Sequence, residues 1–213
     1  MNAKSRVALN KLEGLLADLH ILQRRNTAVS RSFNLSKIRS ADYTDLWKMY
    51  YQENWFDFQF KDLSLIYFDD SNKESFSYIY MGCPYDCISE EDYYQLCDGL
   101  YSTYDDYIST CPVVNNVTYI RYDNSPDQYN EGLHPAHHIH WGFNQKNRIG
   151  ISYELNFYAF VALIIRQCYP DKWEMVINNP SKYKYLYESK KLLTKISNEY
   201  YNNHDQIGDY YFI

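Results

Sequence analysis

"FDFQFKDLSLIYFDDSNKESFSYIYM" runs from Phe56 to Met81, and its reading decides the fold class. Phe56, Phe58 and Phe60 alternate with polar residues. Period two is the mark of a strand, here a half-buried one. "LSLIYF" (Leu63 to Phe68) and "SFSYIYM" (Ser75 to Met81) flank the turn-rich "DDSNKE". Two aromatic and branched runs around turn formers predict an antiparallel hairpin.

Helical patterns bracket this hairpin. Leu12, Leu15, Leu16, Leu19 and Leu22 keep helical spacing and predict a helix from about Lys4 to Arg25. A polar, Ser-rich connector follows. A second helix is expected from near Asp42, carrying Leu46, Trp47, Tyr50 and Tyr51. "SEEDYYQLCDGLYSTYDDYI" opens with Ser89 as an N-cap and places acids in the first turn, where the helix dipole favours them. Gly99 weakens that helix, and Cys111-Pro112 ends it.

"VTYIRYD" (Val117 to Asp123) and "HHIHWGF" (His137 to Phe143) read as strands, separated by a loop rich in turn residues. "NQKN" turns the chain. Asn156 to Gln167 is an apolar helix. Asn179-Pro180 predicts an N-cap with proline at the first helical position, and a last long helix to about Tyr201. "GDYYFI" is read as a docked aromatic tail. The fold class is α+β: an antiparallel sheet flanked by N-terminal and C-terminal helices. We read 1–213 as a single domain. Its helical N-terminal part is 1–55, its sheet-containing core is 56–150 with an inserted helix at about 89–110, and its C-terminal helices fill 151–213.

Composition narrows the class further. The hydrophobic share of 46% supports a real core. The longest apolar run, "FYAFVALII" (Phe157 to Ile165), falls well short of the roughly 20 residues of a membrane span. "MNAKSRVALN" has no apolar core of signal-peptide type, so a cytoplasmic location without membrane partners is expected. Five cysteines, an odd count without an export signal, argue against a disulfide framework. "CPYDC" (Cys83 to Cys87) has no second pair to complete a zinc site, so these read as packing thiols. The 25 tyrosines read as the trace of AT-rich codons rather than as a stacking platform for nucleic acid.

Charge is segregated. Residues 1–40 carry eight Lys/Arg against two acids, residues 41–112 carry three Lys against fifteen acids, and residues 113–213 balance at ten each. A uniformly basic nucleic-acid footprint is therefore excluded. A local basic stretch remains at Gln23 to Arg39, and an acidic middle segment stands ready for a basic partner.

Chemistry is concentrated in "RYDNSPDQYNEGLHPAHHIHWGF" (Arg121 to Phe143), which holds four of the six histidines: His134, His137, His138 and His140. Strand alternation puts His138 and His140 on one face and Ile139, Trp141 and Phe143 on the other, toward the core. Three readings compete. A divalent metal could be held by His134, His138 and His140, or with Asp123 or Glu131 as third ligand. A metal-free site could use one neutral and one protonated imidazole as base and acid, with Asp123 orienting a ring, Arg121 gripping a phosphate, and Tyr122 and His134 contacting substrate. Or the histidines could brace the loop by hydrogen bonds to Asp123, Asp127 and the backbone. A cupin reading fails, because Asn144 and Gln145 stand where that pattern needs a glutamate.

Arg121-Tyr122-Asp123, then His134-Pro135, His138, His140 and Gly142, resemble the bacterial family catalogued as domain of unknown function twenty-two ninety. A similar Arg-Tyr-Asp-Asn and paired-histidine arrangement occurs in TumE-type toxins of toxin–antitoxin systems. His137 departs from the small residue of the family pattern. The resemblance implies a toxin or anti-phage effector, of ribonuclease, phosphodiesterase or metal-dependent hydrolase type, acting on RNA or DNA and paired with an antitoxin. It equally implies a non-catalytic subunit of a defence complex, docking a protein partner through its acidic middle segment.

Overall fold

The computed structural model describes residues 3–27, 40–72, 74–96, 103–143 and 147–201. The first helix, α1 (Ala3–Asp18), is followed by strand β1 (Leu22–Arg25). The leucine pattern therefore overran the helix. The chain turns at His20, whose φ is 59°. The His20 amide bonds the Ala17 carbonyl and the Ile21 amide reaches back to Leu16, a paired closure that commonly has glycine at the turning residue. Here a histidine takes the left-handed conformation, so no glycine marks the stop.

Helix α2 (Tyr43–Gln52) starts where expected, with the Asp42 carboxylate accepting from the Asp45 amide. Strands β2 (Phe58–Phe60), β3 (Leu65–Asp69) and β4 (Phe76–Met81) follow as antiparallel neighbours. The segment expected as one helix at 89–110 holds two among the described residues. Helix α3 (Glu90–Leu96) is capped by Ser89, and α4 (Tyr104–Thr110) by Thr103, whose extended backbone interrupts any continuous helix. Strands β5 (Tyr119–Asn124), β6 (His137–Trp141) and β7 (Ile149–Gly150) complete the sheet. Its seven strands lie in sequence order, each antiparallel to the next.

A two-stranded ribbon pairs β8 (Tyr153–Glu154) with β9 (Thr194–Lys195). Between them lie α5 (Phe157–Cys168), α6 (Pro170–Asn178) and α7 (Lys184–Tyr187). The long helix expected from Asn179 is absent among the described residues. Asn179 instead ends α6, its amide group donating to the Met175 carbonyl. Proline at the first helical position belongs to Pro170, and the chain after Asn179 breaks into turns, α7 and a 3-10 turn. The "GDYYFI" tail and most of the Ser-rich connector lie outside the described residues, as does the middle of "NQKN". The fold is α+β, with helices at both ends of an antiparallel sheet.

Both faces of that sheet are covered. One face packs Phe58, Ile66, Phe68, Tyr78, Ile120, Tyr122 and Ile139 against α1 and α5. The other packs Leu65, Tyr67, Ile79, Met81 and Tyr119 against α2, α3 and α4. The "half-buried" strand at Phe56–Phe60 is accordingly buried on both sides. Its polar residues are absorbed by pairing. Asp57 accepts from the Phe68 amide at 2.8 Å, and Gln59 accepts from the Arg24 guanidinium at 2.5 Å. Within α5, Phe157, Phe160, Val161, Ile164 and Ile165 are all buried, as its all-round apolar surface demands.

Candidate active site

The β5–β6 hairpin is assembled by register. Arg121 sits directly opposite His140, Asp123 opposite His138, and Asn124 opposite His137. Alternation then puts Arg121, Asp123, His138 and His140 on the sheet face that carries α2, α3 and α4. Ile120, Tyr122 and Ile139 go to the opposite core. The connecting loop holds its shape through the 3-10 turn Pro126–Gln128 and a bridge between Asn130 and His134. Gly132, at φ 69°, supplies the left-handed residue the turn requires.

The four side chains meet. Arg121 Nε and Nη2 donate to Asp123 Oδ2 at 3.0 and 2.8 Å. Arg121 Nη2 lies 2.9 Å from His140 Nε2. The two imidazoles approach with His138 Nε2 and His140 Nε2 3.0 Å apart, and Asp123 Oδ2 is 3.5 and 3.2 Å from them. His138 Nδ1 donates to the Pro135 carbonyl at 2.8 Å, so the HPA turn preceding the strand fixes one ring. Both imidazoles are 1% exposed, whereas the Arg121 and Asp123 side chains keep 20% and 14% of their surface open. The rim of the cluster is thus a cation and an anion, and the imidazoles lie beneath.

Burial and pairing pull the titrations in opposite directions. Burial of Asp123 opposes its ionisation, but the His138 and His140 rings beside it and the Arg121 charge outweigh it. Its carboxyl is held well below the ordinary range. His140 is pushed down, by desolvation first and the Arg121 charge next, against the pull of Asp123. His134 is also lowered, by burial and then by its histidine neighbour.

Of the residues expected at the site, Arg121, Asp123, His138 and His140 come together. His134 stacks edge-on against His138 with ring centroids 4.9 Å apart, yet its ring nitrogens stay outside the three-atom convergence of Asp123, His138 and His140. Tyr122, expected to contact substrate, is wholly buried on the other face, where its hydroxyl accepts from the Leu155 amide and pairs with His137 Nδ1 at 2.9 Å. Strand parity forbids it from reaching the cluster. Trp141 does not join the core with Ile139 but is 39% exposed at the strand end. Phe143 crosses to the other face, because Gly142 turns the chain at φ 90°, and packs against Tyr43 and Tyr119. Glu131 and Asp127 are exposed loop residues. The Pro135 carbonyl was missed by sequence reasoning; a backbone acceptor leaves no signature beyond the turn that presents it. A cavity of about 290 Å³ lies elsewhere, against the face of Asn124 and His137, and none of the four cluster residues lines it.

Among the described residues, Cys83, Cys87, Cys111 and Cys168 are free thiols, buried or partly buried. Burial pushes the Cys83 thiol up to about 12 and the Cys168 thiol up to about 11, which disfavours the thiolate that metal binding needs. No helix among the described residues is long and apolar enough to cross a membrane.

A family model described as an uncharacterized conserved protein (DUF2290) matches residues 18–206, and the chain belongs to that family. Neither a curated protein nor a solved structure matches it.

Proposed function

We propose that this protein is a phosphodiester-cleaving effector of ribonuclease type, serving a bacterial toxin–antitoxin or anti-phage system, with Arg121, Asp123, His138 and His140 as its reactive centre. One observation carries the reading. A guanidinium, a carboxylate and two imidazoles converge within 3.5 Å on one face of a hairpin whose other face is plain core. Arg121 stands at the rim, where its planar fork meets a phosphate of RNA or DNA. Asp123 holds that fork and the imidazoles in place. The motif likeness to TumE-type toxins supports the effector role, and an antitoxin is the partner it implies.

A second reading has its own observation. Asp86, Glu91, Asp92, Asp105 and Asp106 are all exposed on or beside α3 and α4. This acidic surface suits a non-catalytic subunit docking a basic partner, with the near-zero exposure of His138 and His140 then marking a bracing network.

Alanine at His138 or His140 separates the two. A reactive role predicts loss of growth inhibition or phage protection by roughly 10²–10⁴-fold in rate at temperatures where the variant is still folded. A bracing role predicts a lower midpoint, since leaving buried partners unpaired costs roughly 1–3 kcal/mol. Activity retained by the double variant with a lowered midpoint would leave only the subunit reading.

A further inference from the structure

The same cluster has an unbalanced arrangement of lone pairs. His138 Nδ1 faces the Pro135 carbonyl, which only accepts, so that nitrogen carries the ring proton and the neutral ring has its lone pair on Nε2. His140 Nε2 faces the Arg121 guanidinium, which only donates, so it too presents a lone pair. These two lone pairs meet at 3.0 Å, with the Asp123 carboxylate 3.2 to 3.5 Å from both. The Arg121 guanidinium answers two of them, His140 Nε2 and Asp123 Oδ2, and leaves the His138 Nε2 pair facing both with no cation of its own.

The separations suit an ion. Donors held at about 2.0–2.2 Å from one metal, with angles between octahedral and tetrahedral values, lie about 2.8–3.6 Å apart. The three separations observed, 3.0, 3.2 and 3.5 Å, fall within that interval. The hydrogen bond from His138 Nδ1 to a backbone carbonyl is the outer support that metal-binding histidines use to fix ring orientation. Two imidazoles and one carboxylate favour zinc, iron or cobalt over magnesium or calcium.

We propose that Asp123 Oδ2, His138 Nε2 and His140 Nε2 bind one divalent first-row transition ion, for which the Arg121 guanidinium competes. Arg121 Nη2 lies 2.9 Å from His140 Nε2 and 2.8 Å from Asp123 Oδ2, so it takes up electron pairs on two of the three donors. An ion that claims those pairs releases the guanidinium fork for an anionic substrate at the rim. The inference rests on reading this cluster as the reactive centre. Of the third ligands the sequence offered, His134, Asp123 and Glu131, it takes Asp123, because His134 stands outside the convergence and Glu131 is an exposed loop residue.

The test is titration of cobalt(II) chloride into chelator-stripped full-length protein, followed by its visible absorption, with zinc K-edge absorption on the zinc-loaded wild type. One ion per chain is expected, with nitrogen and oxygen neighbours and imidazole outer shells. Asp123→Asn keeps the shape of the side chain and should weaken binding more than about tenfold, as should His140→Ala. Arg121→Gln should bind at least as tightly as the wild type. No binding, sulfur neighbours at the metal edge, or unchanged affinity in both Asp123→Asn and His140→Ala would overturn the site. Weaker binding in Arg121→Gln would overturn the competition. The wild-type edge spectrum decides the ligands even where a variant fails to fold. Binding without any need for His138 in the activity assay would sink the effector reading alone. A need for His138 without binding would sink the metal alone.

Discussion

The two faces of the β5–β6 hairpin are built from alternate residues of the same two strands, yet they solve opposite problems. On one face Ile120, Tyr122 and Ile139 join a continuous apolar core against α5. On the other, Arg121, Asp123, His138 and His140 bury charge and imidazole nitrogens that must satisfy one another. Apolar packing is non-directional and tolerates modest rearrangement at modest cost. A buried polar cluster is all-or-nothing, because each group deleted strands its partner in low dielectric. The difference predicts that substitutions on the first face change stability alone, whereas those on the second change stability and a specific chemistry together.

The largest effect should come from the apolar side. Phe160→Ala, at a fully buried position on α5, should cost roughly 3–5 kcal/mol in chemical unfolding. A loss near zero would mean that α5 does not seal this face.

His137 sharpens the comparison, since it is the histidine on the apolar side. Burial, then its neighbour His138, lowers it from 6.5 to about 4. The folded form therefore prefers the neutral ring. Its contribution is fully present above about 6.5, falls as the unfolded chain takes up a proton below that, and is gone near 4. That shift corresponds to about 3 kcal/mol between neutral and acid conditions. A His137→Phe variant should show a flatter decline of stability between those limits; an unaltered decline would assign the acid sensitivity to other groups.

A gentler probe is Ile139→Val, which removes one methylene between His138 and His140. A loss of about 1 kcal/mol with activity intact would show the faces to be separable. Smallest of all, Trp141→Ala at the strand end should cost less than about 1 kcal/mol, as the ring is 39% exposed. A larger loss would restore the tryptophan to the core.

How much of this could be read from the sequence follows the same division. The strands and the hairpin at Phe56–Met81 were legible, because alternation and turn formers are local. So was α5, whose apolar run can only be buried. His138 and His140 sharing a face followed from parity alone. The partner of each was not legible, since register between β5 and β6 depends on a loop of uneven shape. Two-sided burial of the sheet also escaped, because Asp57 and Gln59 look like solvent residues until Phe68 and Arg24 pair with them. Helix ends were misread wherever an unusual residue did the stopping, as at His20 and Asn179. Trp141 and Phe143 followed strand parity only as far as Gly142, whose turn cancels it.

The outermost strands of the seven-stranded sheet, β1 and β7, end it in different ways. Strand β7 is two residues long. Strand β1 has a register irregularity between Leu22 and Arg24 and carries two arginines. A short strand offers an incoming chain too few backbone groups to pair with, and a kinked one presents them out of register. A sheet this rich in aromatic residues would otherwise be a ready template for fibre growth; its two ends work as stops against that growth, at a cost of a few residues.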